Sequence, residues 1–80
     1  MPTYFGYSRS VAETKAMQAK NVKVYDRMAP ADTLVKFVTS NVPNVDFVVL
    51  DDSVPDDQFD TIKAYMNARN VEVIRTSQVP

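Results

Sequence analysis

Two adjacent carboxylates, Asp51 and Asp52, end the run Val45-Asp46-Phe47-Val48-Val49-Leu50, and Ser53 follows them. Paired carboxylates at such a point could bind magnesium through oxygen ligands. A second polar group, Ser8-Arg9-Ser10, closes the run Tyr4-Phe5-Gly6-Tyr7 and joins two hydroxyls to a guanidinium. A hydroxyl nucleophile and a phosphate contact would need that combination. Adjacent side chains at a strand end point to opposite sides, so only one of Asp51 and Asp52 is expected to face a shared crevice.

Much other chemistry is excluded by composition. The chain has no histidine and no cysteine, so the usual general base, thiol nucleophiles, thiolate metal sites and disulfides are all missing. With one glycine, Gly6, it can build neither the dinucleotide fingerprint nor a P-loop. No cofactor is implied. The sequence opens without a basic segment followed by an apolar one, and no apolar run approaches the roughly 18 residues of a membrane span, so a cytoplasmic protein is expected.

The elements that would position these groups alternate regularly. Thr3 to Ser8 reads as a first strand, with Gly6 marking a place where something packs close to the backbone. Ser8 or Ser10 can cap a helix from Val11 to Lys20, whose Ala12, Ala16 and Ala19 form a small-residue stripe expected to lie against the sheet. Asn21 suits the helix stop, and Val22 to Tyr25 reads as a short strand. Pro30 opens a second helix, to about Asn41, with Leu34, Val35, Phe37, Val38 and Val42 as its buried face; Pro43 prevents its continuation. The run up to Leu50 is the third strand, apolar enough to be buried on both faces. Ser53 reads as the cap of a third helix, whose Asp56 and Asp57 complement its positive end by about 0.3–1 kcal/mol each. Asn70 stops that helix, Val71 to Ile74 forms a fourth strand, and residues 75–80 show no period.

The chain is therefore expected to be a single α/β domain, β-α-β-α-β-α-β, flavodoxin-like or resolvase-like. A four-stranded parallel sheet in the order 2-1-3-4 would carry helices on both faces. In that order the carboxyl ends of the first and third strands meet at the switch-point crevice, lined by Ser8, Arg9, Ser10, Asp51, Asp52 and Ser53.

Read together, the two central strand ends carry a resemblance. Phe5-Gly6-Tyr7-Ser8-Arg9-Ser10 is similar to the opening of the catalytic domain of serine recombinases, the resolvase and invertase family, in which a first strand runs into a Gly-Tyr-x-Arg-x-Ser motif. Val24-Tyr25-Asp26-Arg27 resembles that family's second strand and acidic turn, and Val48-Val49-Leu50-Asp51-Asp52 resembles its Leu-Asp-Arg motif. The resemblance implies the family's scaffold. Three positions depart from the motifs: Val11 stands where the nucleophilic serine would be, Asp52 where an arginine would contact the phosphate, and Pro55 where a second arginine would fall. Aspartate repels phosphate, which argues against strand cleavage. A receiver-type phosphoacceptor role for Asp51 lacks the acidic residues expected after the first strand, where Ser8-Arg9-Ser10 stands.

Charge is unevenly distributed. Residues 1–45 carry six Lys/Arg against three Asp/Glu, residues 46–80 three against seven, and no basic residue lies between Phe37 and Ile62. The expected role is a non-catalytic interaction or regulatory protein, suited to a phage or mobile element. It would present an acidic surface of Asp51, Asp52, Asp56, Asp57 and Asp60 to a protein partner, with a polar cluster of Ser8, Arg9, Ser10 and Asp51 beside it. Homodimerisation through a sheet edge is a further expectation, whereas nucleic acid and membranes are not expected partners. The alternative is a minimal resolvase-like or magnesium-dependent phosphoryl-transfer enzyme using Ser10 or Asp51 with Arg9.

Overall fold

The four strands form one parallel sheet in the order β2-β1-β3-β4, as the alternation of elements predicts. In a computed structural model describing residues 1–80, the order is β1 (Tyr4–Tyr7), α1 (Val11–Gln18), β2 (Lys23–Val24), α2 (Leu34–Ser40), β3 (Phe47–Leu50), α3 (Asp56–Asn67) and β4 (Glu72–Arg75). Single 3₁₀ turns precede α2 at Ala31–Thr33 and follow β4 at Thr76–Gln78. The register pairs Tyr4 with Phe47 and Tyr7 with Leu50, then Phe47 with Glu72 and Leu50 with Arg75. No helix is long and apolar enough to cross a membrane.

Alternation along the strands divides the core. Tyr7, Val48, Leu50 and Val73 face α2 and α3, where they pack with Leu34, Val38, Ile62 and Met66. Val49 faces the other way, onto Met17 of α1 and onto Val79, which the C-terminal turn brings down over the sheet. Although residues 75–80 have no period in the sequence, Val79 is buried, and Lys20 Nζ donates to the carbonyls of Thr76 and Val79 at 3.1 and 3.4 Å. At the edge of the larger core, Phe5, Tyr7, Tyr25 and Phe37 pack edge to face or tilted. The Tyr7 hydroxyl donates to the Asn41 carbonyl and that of Tyr25 to Asn41 Oδ1. Burial, reinforced by the neighbouring Tyr25, pushes the Tyr7 phenol above its ordinary pKa.

Both long helices end in the same device. Asn21 and Asn70 adopt φ of 62° and 63°. Each is followed by a valine whose N–H returns to the last buried methionine, Val22 to the Met17 carbonyl at 3.1 Å and Val71 to the Met66 carbonyl at 3.0 Å. With the Asn21 to Gln18 and Asn70 to Asn67 bonds, these are Schellman turns that pin each helix end to the next strand.

The close approach expected at Gly6 is present and comes from α1: a Cβ there would lie 2.5 Å from Met17 Sδ and 3.0 Å from Val22 Cγ1. The alanine stripe does not make that contact. Ala12, Ala16 and Ala19 are all exposed, because Met17 is the one residue that α1 buries and its small residues turn outward. Val42 likewise lies beyond the end of α2 and is exposed rather than part of its buried face. Ser53 is not the cap of α3; that position is Pro55, and the serine is engaged elsewhere.

Two substitutions test these contacts. Gly6→Ala should lower stability by about 1–3 kcal/mol through overpacking, and most of that loss should vanish in a Met17→Ala background in a double-mutant cycle measured by urea unfolding. Asn70→Ala should cost about 1 kcal/mol because alanine lacks the short polar side chain that lets asparagine tolerate the left-handed region, while Asn70→Gly should keep the wild-type midpoint.

Candidate functional site

The carboxyl ends of β1 and β3 lie side by side, and their following loops exchange side chains across the gap. Ser10 is the N-cap of α1: its side chain accepts the Glu13 N–H at 3.2 Å, and its backbone is extended as a cap requires. Glu13 reaches back past the cap to accept the Arg9 N–H at 2.9 Å. Ser8 is buried, and its hydroxyl pairs with that of Thr14. This local bonding turns the Arg9 side chain toward β3.

Arg9 meets Asp51 in a bidentate pair, Nε to Oδ2 at 3.0 Å and Nη2 to Oδ1 at 3.0 Å. Asp51 is only 5% exposed, and its remaining capacity is filled from its own loop by the backbone N–H of Ser53 at 2.9 Å and by the Ser53 hydroxyl. Arg9 also donates to the Ser53 oxygen, and Glu13 lies 3.9 Å from its Nε. Burial alone would raise the Asp51 pKa, but the hydrogen bonds from Arg9 and Ser53 outweigh it and hold the carboxyl below its ordinary range. The hydrogen bond to Asp51 moves Arg9 further up. A carboxylate with this many donors has little lone-pair capacity left for a metal or a phosphoryl group.

Asp52 takes no part in this pair and accepts the Ser77 N–H at 3.1 Å. Sequence reasoning gave no role to the residue that shapes its loop. Arg75, the last residue of β4, donates through Nη1 to the carbonyls of Asp51, Asp52 and Val54 at 3.3, 3.2 and 2.8 Å. Its Nη2 reaches Asp56 at 2.8 Å, and its guanidinium lies 4.5 Å from the Phe59 ring centroid. The available signal was the strand register, which sets Arg75 opposite Leu50 and so beside the two aspartates.

The depression between α1 and these loops has a volume of about 290 Å³ and is lined by Ala12, Glu13, Ala16, Ser53, Thr76 and both Asp51 and Asp52, although only one of the two aspartates is expected to face it. Nowhere do three or more carboxylates converge in a metal-binding group. Of the predicted polar cluster, the structure joins Arg9 to Asp51, assigns Ser10 to the helix cap and sets Ser8 beneath it. Of the predicted acidic surface, Asp51 is withdrawn into the pair with Arg9, Asp56 is tied to Arg75, and Asp52, Asp57 and Asp60 are exposed. Comparison with protein-family models, with curated proteins and with solved structures finds no match to this chain.

The Arg9–Asp51 pair has a pH signature. Because the folded pKa of Asp51 is depressed, its contribution to stability is complete above the unfolded value near 3.9 and is lost as pH falls from there through the folded value. The difference in unfolding free energy between wild type and Asp51→Asn should therefore be largest at neutral pH, on the order of 2 kcal/mol, and should shrink below about pH 4. Chemical denaturation of both proteins across that range measures it.

Proposed function

We propose that this chain is a non-catalytic interaction protein whose binding surface is acidic and centred on the first turns of α3. The observation that carries this reading is the closed network at the crevice. Arg9, the cation best placed to hold a phosphate between the two loops, is engaged through Nε and Nη2 by Asp51 and Ser53. Arg75, the next nearest, is committed to three carbonyls and Asp56. The Ser10 hydroxyl serves α1 as its cap, and the recombinase-like motif positions supply no further cation, since Asp52 and Pro55 stand where arginines would be needed. Phosphoryl transfer depends on positive groups aimed at the developing charge, and here such groups are already neutralised.

The charge left unpaired on the first turns of α3 is negative. Asp57 and Asp60 lie on the exposed side of α3 with no ion-pair partner, and Asp52 is exposed next to them in the chain. A basic protein surface complements such a patch, and rim charges of this kind act mainly on association rate and salt dependence. Nucleic acid is disfavoured because its phosphates would be repelled.

The test is comparative capture from a host lysate at several salt concentrations. Wild type should retain a basic partner in a salt-sensitive manner, Asp57→Lys/Asp60→Lys should lose it, and Asp57→Asn/Asp60→Asn should hold it at roughly tenfold lower affinity or less, about 1.4 kcal/mol. Identical partner sets for wild type and the charge-reversed protein, or a covalent DNA adduct at Ser10, would overturn the proposal.

A further inference from the structure

The free edge of β4 is closed by side chains. Parallel pairing with β3 uses the backbone of Glu72, whose N–H donates to the Asp46 carbonyl at 3.1 Å, and by alternation that of Ile74. The backbone groups of Val71, Val73 and Arg75 therefore point outward. Each of those three N–H donors is occupied: Val71 by the Met66 carbonyl at 3.0 Å, Val73 by Glu72 Oε1 at 3.1 Å, and Arg75 by Gln78 Oε1 at 2.8 Å. The outward carbonyl of Val73 accepts Lys63 Nζ at 3.4 Å.

Lys63 and Glu72 come from opposite sides of the sheet. Lys63 extends from α3, which covers the face bearing Val48 and Val73, whereas Glu72 shares its face with Phe47 and Ile74. Their ion pair thus closes around the strand edge like a clasp. Both side chains are close to half exposed, and ion pairs at such exposure add little stability. The position of the pair over the edge is what distinguishes it.

We infer that the β4 edge is a strand-pairing site for a second copy of this chain, held shut by Lys63, Glu72 and Gln78. The occupant follows from the two edges of the sheet. The opposite edge, β2, has only two residues, so it offers too short a ladder, and the longest ladder available to two copies is β4 against β4. Antiparallel pairing about a two-fold axis at Ile74 would set Val73 opposite Arg75 of the other copy, with no like charges facing each other. Val71, Val73 and Ile74 favour extended backbone, so without the side-chain cover this edge is a template for association.

The full-length chain tests this by sedimentation equilibrium together with amide hydrogen exchange. Wild type should have the mass of one chain, with the Val73 and Arg75 amides protected to a degree independent of concentration. Glu72→Thr/Gln78→Thr should double in mass, and its Val73 and Arg75 amides should exchange roughly tenfold more slowly as the concentration rises. Glu72→Gln, which keeps an acceptor for the Val73 N–H, should stay at the mass of one chain. A folded Glu72→Thr/Gln78→Thr protein of single-chain mass would overturn the inference. So would a wild type that is already dimeric through β4, or, should that variant not fold, wild-type Val73 and Arg75 amides that exchange at the rate of an unfolded chain.

Discussion

The central pair of parallel strands is fastened at both ends, and the remaining elements are hung on it. At the amino ends, Asp46 Oδ2 accepts both the N–H and the hydroxyl of Thr3 at 2.8 and 3.1 Å, while the Thr3 oxygen accepts the Asp46 N–H at 3.1 Å. At the carboxyl ends, Arg9 and Asp51 do the same with charge. Four residues of pairing would tolerate a slip in register, and a slip by one would turn Val48 and Leu50 away from the larger core. The two polar fasteners remove that freedom. Once β1 and β3 are fixed, the placement of α1 against Gly6 and of α2 and α3 against the opposite face follows from side-chain alternation.

One constraint thus serves fold and site together. The two groups that first suggest catalysis, a guanidinium and a carboxylate at adjacent strand ends, are also the upper fastener of the sheet. Here they satisfy each other, and the unpaired charge has moved outward to α3.

Features set by local chemistry were legible in the sequence. Asn21 and Asn70 announced the helix ends because asparagine tolerates positive φ; Ser10 announced a cap; Gly6 announced a close approach; and alternation of apolar runs gave the strand order. What escaped depends on long-range placement. The face of α1 that meets the sheet is decided by one methionine entering the gap over Gly6, and a short helix with little amphipathic contrast does not declare which side that is. Ser53 has the makings of a cap, yet Asp51 and Arg9 compete for its hydroxyl and prevail. Arg75 looked like part of a featureless tail because its partners lie 19 to 24 residues away.

That last arginine has a consequence for the order of events as the chain folds. The β3–α3 loop, with its carbonyls at Asp51, Asp52 and Val54 converging on one guanidinium, cannot take its final shape until β4 has docked. During synthesis the strand that completes the crevice leaves the ribosome after the loop whose carbonyls it gathers. The earlier part of the sheet can assemble while that loop is still open to water, so the crevice end of the molecule matures last.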